Sequence, residues 1–200
     1  MKPQKRKPSK KLSIKTQFKE GLAYIKESKK YIYVSIAIFL LATLAGFVFS
    51  SHLTFIDKYL AELIAKTENF NTAEMIFFIL QNNLQSSFFS ILFGVFFGIF
   101  PLFSTVMNGL VMGYVLARTL EVASIAIWWR LLPHGIFELP AIFISFGLGI
   151  KLGLSILTKK NKSKEFKRRF YNSINSFFMI IIPLLIIAAA IEGILISIVG

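Results

Sequence analysis

Twenty consecutive residues without a charge, Tyr31 to Ser50, constrain this chain more than any other feature. As a helix at about 1.5 Å per residue they span roughly 30 Å, the thickness of a bilayer's hydrocarbon core. Tyr31 and Tyr33 at the start suit the interfacial belt where aromatic rings meet headgroups. The 30 residues before the run carry 11 Lys or Arg, and no small-residue cleavage site follows it. The run is also too long for the apolar core of a signal peptide, so it reads as a retained transmembrane helix. Composition agrees: 55% of residues are hydrophobic, only 16% are charged, and 22 are Phe. No Cys is present, which excludes disulfides, thiolate metal sites and Cys nucleophiles.

The rest of the chain continues the pattern. Residues 1–13 form a basic tail, and Ile14, Phe18, Leu22 and Ile25 then recur at helical spacing. Residues 1–30 thus read as a basic segment containing an amphipathic helix, either set against anionic lipid or simply a short solvated helix leading into the membrane. Residues 51–74 carry Asp57, Glu62, Glu68 and Glu74 with an apolar stripe at Phe55, Ile56, Leu60, Leu63 and Ile64. They predict a second amphipathic helix on the opposite surface, ending near Asn69–Asn71. Within the domain 31–200, membrane spans are expected at about 31–50, 84–100, 102–121, 132–156 and 174–199, with a turn at Pro101 and a kink at Pro183. A sixth, re-entrant segment over Met75–Leu80 is the alternative. The fold class is therefore all-α: a polytopic integral membrane bundle of about five transmembrane helices with amphipathic interfacial helices.

Charge orients this bundle. Residues 1–30 and 151–170 together hold 19 of the 23 Lys and Arg, whereas 51–74 and 118–131 hold Lys58, Lys66, Arg118 and Arg130. The positive-inside rule then predicts a multi-pass protein of the cell membrane, N-terminus cytoplasmic and C-terminus outside. The basic blocks lack the interleaved aromatics of a nucleic-acid reader, so no nucleic-acid partner is expected. The expected partners are the bilayer, with anionic lipids at its inner face, and other membrane or envelope proteins. Self-association is a further option.

Three Gly-x-x-x-Gly spacings, Gly94/Gly98, Gly109/Gly113 and Gly149/Gly153, predict close helix packing among the second, third and fourth spans. Against this apolar background a few polar groups stand out. His134 and Glu138 lie four apart and share a helical face with Ser145 and Gly149, while Pro140 would bend the axis. Three readings compete: a polar lock holding the bundle in register, a metal site or acid–base pair, and a proton or ion pathway. The zinc pattern His-Glu-x-x-His is absent, so a metal at His134 and Glu138 would need Glu192 to complete its shell. Asn82, Asn83 and Asn108 complete the candidate polar core as interhelical hydrogen-bond groups. Arg118 and Arg130 either reach the interface or pair with Glu138 or Glu192. No Ser-nucleophile motif, phosphate loop or dinucleotide fingerprint occurs, and no cofactor is implied.

The segment Pro133-His134-Gly135-Ile136-Phe137-Glu138-Leu139-Pro140-Ala141 resembles the signature of the stage II sporulation protein M family. Asn82-Asn83, Asn108-Gly109 with Gly113, Gly147/Gly149 and Ile191-Glu192-Gly193 add to the resemblance, over about residues 75–200. The resemblance implies a polytopic membrane protein that recruits and scaffolds rather than cuts: in spore formers the family assists a complex of peptidoglycan-degrading enzymes. Relatives in archaea and non-sporulating bacteria mean that the family name does not assign the process. The leading expectation is a non-enzymatic organiser of a cell-envelope assembly. An intramembrane metal-dependent hydrolase or lipid-modifying enzyme built on His134 and Glu138, and a transporter of a solute, ion or lipid, are the alternatives.

Overall fold

The structure, a computed structural model, describes the backbone of residues 13–122, 132–158 and 161–199 and the side chains of 13–120, 138–158 and 161–191. Among the described residues there is no strand. The α-helices of the described residues are α1 (Ile14–Glu27), α2 (Lys29–Val48), α3 (Thr54–Thr67), α4 (Thr72–Leu92), α5 (Ile99–Val122), α6 (Leu132–Gly153), α7 (Lys162–Ser176) and α8 (Ile182–Val199). Among the described residues, five stretches are long and apolar enough to cross a membrane: Lys29–Val48, Thr72–Val95, Ile99–Leu120, Glu138–Leu157 and Lys162–Ile191.

Local chemistry sets the boundaries. Ser13 caps α1 by accepting from the Thr16 amide. Ser28, fully buried, ends α1 and turns the chain into α2. Asn71 and Glu74 form a reciprocal capping box at the start of α4, at 2.8 and 3.0 Å. That box makes Met75–Leu80 the opening turns of one continuous helix, so no separate re-entrant segment exists there.

Two boundaries depart from the sequence expectation. The second span starts at Thr72 instead of 84, and its turn into α5 falls at 96–98 instead of Pro101. Phe97 and Gly98 take left-handed φ values of 58° and 72°, which breaks the helix there. Pro101 instead occupies the first turn of α5, where a missing N–H has no intrahelical partner to lose. The last span also differs. The basic block between the expected spans 132–156 and 174–199 is helix α7, which runs through a π-helical turn, Phe177–Ile181, into α8. Pro183 lies just beyond that turn. A proline ring clashes with the carbonyl four residues back, here Met179, and the wider π-turn makes room for it.

Helix α6 is the hub. In its span 72% of residues are buried, against 22–44% in the other four. Ala141 and Leu148 of α6 pack with Ile91 of α4, Tyr24 of α1, and Phe177, Ile181 and Leu185 from the last helix. The α1 helix lies along α7, where the Asn175 amide donates to the Gln17 carbonyl at 2.7 Å. The two most basic parts of the chain therefore meet at one end of the bundle.

Candidate functional site

Asn83 sits on the inward face of α4 and is 9% exposed. Its amide faces the half-buried carboxyl of Glu138 on α6. Both residues were singled out by sequence, and the fold brings them together. In an apolar interior two such polar groups offer each other a partner, an arrangement suited to holding two helices in register. Asn82, one position earlier and so about 100° around the helix, points outward and is exposed. Asn108 does not join the pair. It donates to the Ser104 carbonyl of its own helix at 2.8 Å and lines a cavity of about 390 Å³ facing Phe55, Ile56 and Tyr59 of α3.

His134 lies on α6 and Glu192 on α8, but the side chains of both are outside the described residues, as is Arg130. Among the described residues no three His, Asp or Glu side chains gather as a metal site would require. Arg118 is engaged with Asp57 at 3.8 Å and donates to the Tyr114 hydroxyl at 2.9 Å. That hydroxyl in turn donates to Asp57. The triad ties α3 to α5.

The glycine spacings sort into two crossings. Gly94 and Gly98 meet Gly149, Ile150 and Gly153, so the second and fourth spans approach backbone to backbone. Gly109 and Gly113 do not face those helices. They pack on Phe39, Ala42, Thr43 and Phe47 of α2, whose own Gly46 meets Leu110. The expected packing among the second, third and fourth spans is thus corrected: the third span's glycines serve a contact with the first. Apolar positions alone do not tell which neighbour a Gly face meets.

Sequence reasoning passed over a second polar centre. Lys151, 3% exposed, lies near the end of α6 between Gly149 and Gly153. Its ammonium donates to Glu27 and to the Ser28 hydroxyl, each at 2.9 Å, and stands 4.0 Å from the centre of the Tyr24 ring. Arg168 of α7 grips the same Glu27 carboxylate through two nitrogens at 2.8 and 3.0 Å. Arg169 donates to the Lys151 carbonyl, and Glu165 joins Arg168 and Arg169. The Arg168 guanidinium, with Lys151 beside it, holds the Glu27 carboxyl at about 2. Burial pushes the Tyr24 hydroxyl up to about 12. The knot joins α1, α6 and α7. Its one sequence signal is a lone Lys inside an apolar, glycine-flanked helix, masked by the basic block that follows.

In the comparisons with known proteins, the family model described as stage II sporulation protein M matches residues 35–195. No curated protein and no solved structure matches.

Proposed function

The chain belongs to the stage II sporulation protein M family, and from that premise we propose that it is a non-enzymatic scaffold, organising a cell-envelope assembly through helix contacts within the membrane. It is a multi-pass membrane protein. One observation carries the scaffold reading. Helix α4 presents Gln81, Asn82 and Gln85 as exposed residues near the middle of the span Thr72–Val95. Side-chain amides have no partners in hydrocarbon, and polar groups left unsatisfied there are costly. An amide can donate and accept, so this face suits another transmembrane helix that offers polar groups in return. The Asn83–Glu138 pair supports the same reading, since it fixes α4 on α6 and so aims the amide face outward.

Orientation belongs to the proposal. The basic end, where α1 meets α7, faces the cytoplasm and α3 lies on the outer face. Photocrosslinking residues placed at positions 81 and 85 in native membranes test the scaffold. Adducts to membrane protein are expected, and Gln81→Leu/Gln85→Leu should abolish them at other α4 positions without lowering the thermal midpoint. Adducts to lipid alone would overturn the reading.

A further inference from the structure

Where α1 turns into α2, a groove of about 820 Å³ opens between those helices and α6. That is within the size range of small-molecule sites. Lys26 and Lys29 stand at its mouth, on either side of the Ser28 corner. Beyond them the walls are apolar: Ile32 and Ile36 on α2 face Phe143 and Ile144 on α6. From Lys29 to Ile36 the groove follows α2 for about 10 Å, most of the hydrocarbon depth of one leaflet.

Its walls are fixed. The Phe143 ring meets Phe39 edge-on at 5.1 Å, and the Ser35 hydroxyl donates to the Phe143 carbonyl at 3.1 Å. The two lysines differ from the cations of the Glu27 knot. Lys151, Arg168 and Arg169 are committed to Glu27 and Glu165, whereas among the described residues neither Lys26 nor Lys29 makes an ion pair. Both are exposed. Two available cations at headgroup depth above an apolar slot complement an amphiphile with a negative head and a hydrocarbon tail. Basic pockets between transmembrane helices recognise anionic lipid headgroups on this principle.

We propose that this groove binds one anionic phospholipid, its phosphate held by Lys26 and Lys29 and one acyl chain lying along Ile32, Ile36, Phe143 and Ile144. The site needs the bilayer but not the α4 amide face, so it stands or falls independently of the scaffold reading.

Native mass spectrometry of the full-length protein in mild detergent, titrated with phosphatidylglycerol or phosphatidylcholine, tests it. The wild type should retain one phosphatidylglycerol in preference to phosphatidylcholine. Lys26→Gln/Lys29→Gln should weaken that retention about tenfold. Lys15→Gln/Lys19→Gln removes the same charge from α1 outside the groove and should leave retention unchanged. Ile36→Trp, which fills the slot with both lysines in place, should also lose the lipid. Excess inorganic phosphate should not displace it. Equal retention of the two lipids, equal loss in both lysine pairs, or displacement by phosphate would overturn the proposal. The first two would indicate diffuse attraction, and the third a headgroup site without a chain.

Discussion

Lys151 is a buried cation whose main counter-charge, Glu27, comes from another helix and is itself half-exposed. The two partners are therefore not equivalent. Glu27→Gln would leave an unpaired ammonium in the bundle, whereas Lys151→Met removes the buried charge and leaves Glu27 on Arg168. Glu27→Gln is expected to cost about 3 kcal/mol in denaturant unfolding, and Lys151→Met less than about half of that. The same carboxylate sets an acid limit. Its pKa is lowered on folding, so its contribution is complete above 4.5 and disappears as pH falls toward about 2. Spin labels on Lys19→Cys and Lys167→Cys should report a fixed α1–α7 distance from neutral pH down to about 4.5 and a broadening distribution below. At the Asn83–Glu138 pair, Glu138→Gln keeps a polar group opposite its partner and Asn83→Ala does not. The alanine variant should lose about 1 kcal/mol and the glutamine variant little, read from thermal midpoints in detergent. Sequence exposed Asn83 and Glu138 because polar residues contrast with an apolar run. It hid Lys151, because a Lys next to a basic block looks like part of that block.

Glycines carry the packing of the elements, and their environments rank them. A Cβ on Gly113 would meet the Thr43 carbonyl and, at 2.7 Å, the Phe47 nitrogen, all backbone of α2. Neither helix can yield there without moving as a whole. Gly113→Ala is expected to cost about 2 kcal/mol or more by thermal unfolding. Gly21 offers the contrast: the atom nearest a new Cβ is the tip of Ile180, at 3.2 Å, and that side chain can turn aside. In the interior of α1, Gly21→Ala should be neutral or gain up to about 1 kcal/mol from helix propensity. Helix existence was legible from charge-free runs, which need length and hydropathy alone. Two boundaries were not. The turn at 96–98 rests on left-handed φ values at Phe97 and Gly98 within an unbroken apolar string, and a proline three residues later looked like the better breaker. The continuous α7–α8 helix was hidden because a charged loop and a charged amphipathic helix have similar composition. Only the α1 contact, made through Asn175 and Ser176, distinguishes them.

For the whole molecule, the distribution of charge and the path of the chain agree. Five spans put residues 1–30 and the 151–170 block at the same end whatever the helix order, so that much was readable from counting. The contact between them was not, since it depends on α7 being helical and on Asn175 and Ser176 reaching the α1 carbonyls. Packed together, α1 and α7 form one basic end. Lys58, Lys66 and Arg118, by contrast, sit with Asp57, Glu62 and Glu68 on or near α3 at the other. Such an asymmetry has one favourable orientation in a membrane whose cytoplasmic leaflet is anionic. The chain has no Cys, so single-cysteine variants report position without background. In intact cells Asn69→Cys, exposed between α3 and α4, should react with an impermeant maleimide. Ser163→Cys, exposed at the start of α7, should react only after the membrane is opened. The reverse pattern would place the basic end outside. It would also separate Lys26 and Lys29 from the anionic cytoplasmic leaflet, leaving their groove to lipids of the outer leaflet.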